Sequence, residues 1–239
     1  MPDFSIIVPA FNEEEYLAQT IASIRTAMQG LEETGELIVV DNNSTDRTAD
    51  VARENGADKV VFEPHNQIAK ARNAGAAEAN SDNFVFVDAD SHPSSEMLRQ
   101  ALDFLQSGEV VGGGARVEMD GAVSPTVAWI TRNWNAVSER FNYAAGSFFF
   151  CRRDAFELVG GFDESVYAGE EVWLARRLKK WARRNGMRFE ILKGVSVVTS
   201  ARKSDWFSTW DFVKQLGLIF LFPWATRSRR LCAIWYRRP

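Results

Sequence analysis

Two aspartates follow a short apolar segment, in the order Asp88-Ala89-Asp90. The preceding residues 84–87 (FVFV) predict a buried strand, so both carboxylates lie at its carboxyl end. Carboxylate oxygens are the ligands that hard divalent cations prefer, and such a cation can bridge the oxygens of a diphosphate. Taken alone, the pair is also compatible with a solvated turn or a helix cap.

A second polar cluster, DNNSTD, begins at Asp41 after the apolar residues 36–40 (ELIVV). A carboxylate at this point can accept hydrogen bonds from a nucleobase or a ribose. The alternative is ordinary turn and cap chemistry, which Asn, Ser and Asp all favour.

Two adjacent acids, Glu170 and Glu171, open a segment whose apolar spacing predicts a helix over residues 172–185. One of them could act as a general base that deprotonates a hydroxyl. The helix macrodipole also favours acids at this position, so the pair by itself leaves both interpretations open.

Strands alternate with helices over the first 100 or so residues, which predicts an α/β fold with a doubly wound, mostly parallel sheet and helices on both faces. Open parallel sheets bind ligands at the carboxyl ends of their strands, where the polar clusters lie. Asn12 is predicted to cap the first helix, with Glu15 in capping-box position. The predicted early strands are residues 4–8, 36–40, 59–62 and 84–87.

The second half is less regular, although the same patterns apply. A bent strand is predicted around Gly112-Gly113-Gly114, and the chain from Ser204 is predicted to form a tail. The other predicted elements are a helix over residues 127–141, a strand over 147–150, and short strands over 189–192 and 195–199.

In combination, these segments resemble the family 2 glycosyltransferases, which have the GT-A fold. The resemblance covers roughly residues 4–199 and implies metal-dependent, inverting transfer of a sugar from a nucleotide-diphosphate sugar to an acceptor hydroxyl. The matching segments are IIVPAFNEEEYL (6–17), IVVDNNSTDRTADVA (38–52), KARNAGAAEA (70–79), FVFVDADS (84–91), GSFFFCRRDAFELVGGFDES (146–165) and GEEVWLARRL (169–178).

The resemblance also implies roles on the donor side, for a UDP- or GDP-linked sugar. Asp41 would meet the base, Arg72 would help to hold the nucleotide, and Asp88 would lie near the ribose and the metal. Asp90 would ligate Mg²⁺ or Mn²⁺ on the diphosphate. The residues that would line the nucleotide pocket are Pro9, Ala10, Asn12 and Glu13.

Gly146 and Ser147 would border the acceptor site, as the resemblance implies. The family commonly has Glu-Asp where this chain has Glu170-Glu171. Glu171 occupies the second position of that pair, so the resemblance makes it the candidate base. Glu170 would be its neighbour or would take its place.

Composition fits this interpretation. The 239 residues are 46% apolar and 25% charged, which is typical of a globular protein and excludes disordered and fibrous classes. Two cysteines are too few for a disulfide scaffold and indicate reduced thiols in the cytoplasm. Neither a signal peptide nor a membrane-spanning run is expected. One domain, residues 1–203, and a tail, residues 204–239, are predicted.

The tail is basic and aromatic. Residues 172–239 carry 16 Lys and Arg against 3 Asp and Glu. This composition predicts either an amphipathic helix on the cytoplasmic face of an anionic inner membrane, close to a lipid-linked or envelope-glycan acceptor, or a face packed on protein. Its basic flank includes Arg202 and Lys203. The apolar stripe at helical spacing comprises Trp206, Trp210, Val213, Gly217, Phe220 and Trp224.

Two other functions remain as alternatives. A nucleotidyltransferase that makes sugar nucleotides shares the sheet plan, but usually has a Gly-rich phosphate loop where this chain has PAFNE, residues 9–13. A non-catalytic scaffold at the membrane is the other. A nucleic-acid partner is not expected, because the body is acidic and the basic tail contains no recognised nucleic-acid-binding motif.

Overall fold

The computed structural model describes residues 1–202, 223–232 and 236. Within them, a mixed sheet of eight strands carries helices on both faces. The strands are β1 Phe4–Ala10, β2 Gly35–Asp41, β3 Lys59–Phe62, β4 Asn83–Val87, β5 Ser91–His92, β6 Val110–Asp120, β7 Phe148–Arg152 and β8 Arg188–Ser200. The helices are α1 Leu17–Gln29, α2 Thr48–Glu54, α3 Ile68–Glu78, α4 Ser95–Gln106, α5 Pro125–Phe141, α6 Arg153–Leu158 and α7 Glu170–Arg184, with a 3₁₀ turn at Pro223–Arg227.

The strand order brings distant parts of the chain to one edge of the sheet. The order is β3-β2-β1-β4-β7-β6-β8-β5, and β1 to β4 run parallel. β7 is antiparallel to β4 and to β6, while β8 is parallel to β6. Consequently the carboxyl ends of β1, β2, β4 and β8 and the start of β7 share the same edge.

Alternating side chains of the central strands bury both faces. Ile6 and Val8 face the layer formed by α1 and α4, whereas Ile7 faces the layer that contains α3 and α7. All three are fully buried. A strand buried on both faces reads as a continuous apolar run, which is why β1, β2 and β4 could be located from sequence.

Replacing Gly113 with alanine is expected to lower the free energy of unfolding by about 1–3 kcal/mol, the usual cost of overpacking. Gly113 lies in β6, where an added Cβ would stand 1.8 Å from the backbone oxygen of Glu190 in β8. That oxygen belongs to the sheet and cannot yield as a flexible side chain does. Urea unfolding measures the effect, and a midpoint equal to that of wild type would contradict the close approach.

Two local predictions are wrong. The first helix begins at Leu17 after Tyr16, rather than at Asn12, whose φ of 51° places it in the left-handed region. The two short strands predicted over residues 189–192 and 195–199 form one strand, β8. The pairing of β8 with β6 shifts register between Ile191 and Ser196, and Gly194, with φ of 74°, lies within that shift.

The C-terminal tail is described only in part. Most of the apolar stripe, residues 203–222, lies outside the described residues. The later segment packs back on the body: Tyr167 N donates to Thr226 O at 2.6 Å, and Ala225 and Cys232 are fully buried. Among the described residues, no helix is long and apolar enough to cross a membrane.

Candidate active site

The loops after β1 and β2 are joined by side-chain hydrogen bonds. Asn12 Oδ1 accepts from Thr45 N at 2.8 Å, and the Glu13 N–H donates to Thr48 Oγ1 at 2.8 Å. Asn12 N also donates to Ser44 Oγ at 3.0 Å. Asn12 therefore connects two loops at the sheet edge, which explains why its side chain does not cap α1.

Asp41 ends β2 beside the end of β1. Its Cα pairs with that of Ala10, and Asn42 N donates to Ala10 O at 2.8 Å. Asp41 is buried, and its Oδ1 accepts from Ser44 N at 2.9 Å, so the turn chemistry foreseen as the alternative is present. Pro9 and Ala10 complete the buried end of β1.

A buried arginine in α3 connects its own helix to three other parts of the site. Arg72 Nη2 donates to Asp88 Oδ1 at 2.8 Å and to Gly146 O at 3.0 Å, while Nη1 pairs with Glu170 Oε1. The guanidinium also lies 5.3 Å from the ring centroid of Phe162. Arg72 therefore links α3, the carboxyl end of β4, the approach to β7 and the start of α7.

The carboxylates of Glu170 and Asp88 keep this guanidinium charged. Burial by itself lowers the pKa of Arg72, but the charges of Glu170 and Asp88 outweigh that effect, and the pKa lies above its usual value. The side chains of Arg72 and Glu170 are 1% and 4% exposed, whereas that of Asp88 is 25% exposed. Asp88 can therefore meet a ligand from solvent while Arg72 holds it in place.

Two buried polar atoms at this edge lack a hydrogen-bond partner among the described residues. They are Arg72 Nε, a donor, and Ser147 Oγ. An unsatisfied buried polar group costs about 1–3 kcal/mol, so native structures retain few of them. Both residues lie at Gly146, so these two atoms are open to a hydrogen bond with a polar ligand or an ordered water.

The two adjacent glutamates at the start of α7 differ in environment. Glu170 is buried and paired with Arg72, whereas Glu171 is half-buried and forms no ion pair among the described residues. Burial raises the pKa of Glu171 to about 8, the charge of Glu170 adds to the rise, and Arg72 opposes it. Glu171 is thus a carboxyl that can exchange a proton near neutral pH.

A second buried arginine joins two other predicted site residues. Arg202 follows β8, and its Nη2 contacts Glu13 Oε1 at 2.5 Å and Asp90 Oδ2 at 3.1 Å. Its guanidinium lies 4.4 Å from the ring centroid of Tyr16. Asp90 is 5% exposed, and its Oδ1 accepts from Thr199 Oγ1 at 3.4 Å.

Sequence reasoning missed the place of Arg202. It was predicted to flank the basic tail, but it lies between Glu13 and Asp90 in the site. The signal was available, because Arg202 comes two residues after Ser200, the last residue of β8, and so lies at the carboxyl end of a strand, as Asp41 and Asp88 do. The other predicted residues gather along the same sheet edge, around Arg72 or Arg202 or in the joined loops.

The arrangement has the parts that a transfer reaction needs. Carboxylates lie near a sheet edge suited to a phosphate-bearing ligand. Glu171, whose pKa is raised, is next to Glu170, the residue that pairs with Arg72. Asp88 and Asp90 supply oxygen ligands suited to a divalent cation. In residues 1–202, 223–232 and 236, no group of three His, Cys, Asp or Glu side chains is arranged to hold a metal.

Comparison with known proteins gives a consistent picture. The model of the family described as "Glycosyl transferase family 2" matches residues 5–160. Dolichol-phosphate mannosyltransferase of Pyrococcus furiosus is 32% identical over 123 residues, covering 50% of this chain and 34% of that protein. A probable glycosyltransferase of Bacillus subtilis, YdaM, is 28% identical over 190 residues, covering 70% and 44%. The chain thus spans less than half the length of these relatives.

Solved structures match the fold. Mannosyltransferase PcManGT of Pyrobaculum calidifontis, in complex with GDP-Man and Mn²⁺, aligns with a TM-score of 0.71 at 22% identity, over 95% of this chain and 65% of that one. TarS of S. aureus, in complex with UDP-GlcNAc, aligns with a TM-score of 0.63 at 18% identity, over 91% and 66%. The GT-A fold is confirmed.

Proposed function

Because the chain belongs to glycosyl transferase family 2, we propose that it transfers a sugar from a nucleotide-diphosphate sugar to an acceptor hydroxyl. One observation carries the proposal: the buried guanidinium of Arg72 forms ion pairs with both Asp88 and Glu170. Asp88 is on the proposed donor side, and Glu170 is next to the candidate base, so Arg72 fixes the two sides of the site relative to each other. A transferase needs both groups at fixed separation, because proximity and orientation supply much of the rate.

The donor would lie across the joined loops after β1 and β2. The buried Asp41 is suited to accept hydrogen bonds from the nucleoside, although Ser44 N already uses one of its oxygens. Arg72 would help to hold the nucleotide. The residues that would line this pocket are Pro9, Ala10, Asn12 and Glu13. The solved neighbours contain GDP-Man or UDP-GlcNAc, which supports a GDP- or UDP-linked donor here.

A divalent cation, Mg²⁺ or Mn²⁺, would be held by Asp88 and Asp90 together with the donor diphosphate. The donor set fits, because Mg²⁺ is commonly bound by one or two carboxylates plus substrate phosphates. The 25% exposure of Asp88 leaves it accessible. When bound, such an ion supplies Lewis-acid stabilisation of the charge on the leaving diphosphate.

Glu171 would remove the proton from the acceptor hydroxyl as that oxygen attacks the anomeric carbon. The carbon–oxygen bond to the diphosphate breaks in the same step, and attack from the opposite face inverts the anomeric configuration. Ser147, with its buried hydroxyl, and Gly146 would border the acceptor. Glu170 positions the site through Arg72 rather than by touching the substrate.

Activity is expected to fall as the pH drops through about 8, the raised pKa of Glu171. A general base works only when ionised, and its protonated fraction grows below its pKa. The charged groups that face it are Glu170, Arg72 and Asp88. Removing one negative charge in Glu170→Gln should move the acidic limb of kcat/KM to lower pH. A wild-type limb near 4.5 would contradict this assignment.

Hydrolysis of the donor tests the proposed reaction without a known acceptor, because water can take the acceptor's place. UDP-glucose, UDP-GlcNAc and GDP-mannose are incubated with the chain and Mn²⁺, and nucleoside-diphosphate release is followed. Release from at least one donor supports a transferase. Pyrophosphate-dependent formation of a nucleoside triphosphate would support the nucleotidyltransferase alternative, and binding without any turnover would support the scaffold.

We also propose that the basic and aromatic tail, residues 204–239, brings the chain to the cytoplasmic face of an anionic membrane, while Ala225 and Cys232 of the tail stay buried. The basic and aromatic composition supports this, since each basic residue near such a surface contributes about 1 kcal/mol. Flotation with phosphatidylglycerol vesicles at low salt should recover the chain, and neutral vesicles should not. Equal recovery with both, or with neither, would contradict the proposal and favour packing on protein.

A further inference from the structure

Arg202 already supplies a cation to the carboxylate proposed to bind the metal. Its side chain is 7% exposed, and one nitrogen, Nη2, contacts both Asp90 Oδ2 and Glu13 Oε1. Tyr16 lies against the guanidinium at 4.4 Å. Glu13 and Asp90 precede Arg202 by 189 and 112 residues, so the contact is assembled by the fold.

Arg202 and a divalent cation are both positively charged, so they compete for the carboxylate of Asp90. A buried carboxylate needs a counter-charge, and removing one partner of a buried pair is strongly unfavourable. The Asp90 carboxylate has lone pairs for both partners, but a divalent cation bound to it at about 2.1 Å would lie within a few ångströms of the guanidinium that contacts Oδ2 at 3.1 Å. Like charges this close in a buried site repel each other. A divalent cation at Asp90 therefore either displaces Arg202 or binds against its positive charge.

We infer that Arg202 is a resident counter-cation of Asp90 that competes with the divalent cation and thereby sets the metal affinity of the donor site. The inference rests on the proposed function, in which Asp90 is a metal ligand. Glu13 gives Arg202 a second carboxylate, so the guanidinium can release Asp90 while remaining paired and against Tyr16.

Mn²⁺ binding to the full chain, measured without nucleotide by the electron paramagnetic resonance signal of free Mn²⁺, tests this inference. Arg202→Met should bind Mn²⁺ at least tenfold more tightly than wild type. Arg116→Met is the control, because Arg116 forms an exposed ion pair with Glu139, and it should bind as wild type does. Asp90→Asn combined with Arg202→Met should lose the gain.

Arg202→Lys provides a second test if the methionine variant does not fold. Lysine retains one charge but lacks the planar fork of the guanidinium, so Mn²⁺ affinity should fall between those of wild type and Arg202→Met. If neither variant binds Mn²⁺ more tightly than wild type, or if no variant binds it, the inference is overturned. The proposed function fails separately, if wild type neither binds nor turns over any sugar nucleotide.

Discussion

Replacing Glu171 with glutamine is expected to lower turnover by about 10²–10⁴-fold, the usual contribution of a general base. Glutamine keeps the shape of the side chain but cannot accept a proton. Donor affinity should stay unchanged, because Glu171 lies at the start of α7 and Arg72 pairs with Glu170 instead. Donor hydrolysis gives kcat, and equilibrium titration gives the Kd of the donor.

Glu170→Gln is the matched control for Glu171→Gln. Glu170 is buried and paired with Arg72, so glutamine leaves a buried guanidinium short of a counter-charge. The expected result is a loss of stability of up to about 3–5 kcal/mol with a smaller loss of kcat at the optimal pH. Full turnover in Glu171→Gln, together with none in folded Glu170→Gln, would reverse the assignment of the base.

The stability of Glu171→Gln should depend on pH in a defined direction. The pKa of Glu171 is raised in the folded chain, so its contribution to stability is fully present below the unfolded value of about 4.5. That contribution is lost as the pH rises through about 8. Glutamine stays neutral, so the variant should gain thermal stability relative to wild type between pH 5 and pH 9.

Replacing Arg72 with methionine is expected to cost about 3–5 kcal/mol of unfolding free energy, because it leaves buried charge unpaired. Arg72 is 1% exposed and pairs with both Asp88 and Glu170. Donor hydrolysis should be lost as well, since the same side chain fixes Asp88 and Gly146. Urea unfolding measures the free energy, and it can be followed in the absence of any substrate.

Arg116→Met again serves as the control, with an expected change of about 0–1 kcal/mol for an exposed pair. Arg72→Met combined with Glu170→Gln should recover part of the lost stability, because the double variant removes one uncompensated carboxylate. Two results would contradict the buried ion pairs of Arg72. One is a double variant whose loss of unfolding free energy equals the sum of the two single losses. The other is an Arg72→Met variant as stable as Arg116→Met.

The fold could be predicted where buried strands read as apolar runs. Residues 4–8 and 84–87 fall within β1 and β4, because both faces of these strands are covered. The bent strand predicted around Gly112-Gly113-Gly114 is confirmed as β6, which changes register beside β8. The break expected near Gly194 is absent, because pairing with β6 resumes after the register shift.

Local patterns failed where side chains have long-range partners. Asn12 followed by Glu15 reads as a capping box, yet Asn12 bonds to Thr45, 33 residues later. Only the pairing of β1 with β2 brings those loops together. Arg202 was grouped with the basic tail for the same reason, since its partner Asp90 lies 112 residues earlier.

The division of roles between Glu170 and Glu171 could not be read from two identical adjacent residues. Successive positions on a helix point about 100° apart, so their environments differ once the helix is docked. Glu170 faces Arg72, and Glu171 remains half-buried. The sequence places two carboxylates side by side, and the packing of α7 on the body brings only the first of them, Glu170, to Arg72.

The most direct test of the proposed donor site is a thermal-shift measurement with UDP, GDP, CDP, dTDP and their sugars, with and without Mn²⁺. A ligand present at 100 times its Kd should add about 2.7 kcal/mol of stability. We expect UDP or GDP to raise the melting temperature, Mn²⁺ to increase that shift, and Asp90→Asn to abolish the shift. The absence of a shift with every nucleotide, in a chain that unfolds cooperatively, would contradict a donor site at this sheet edge.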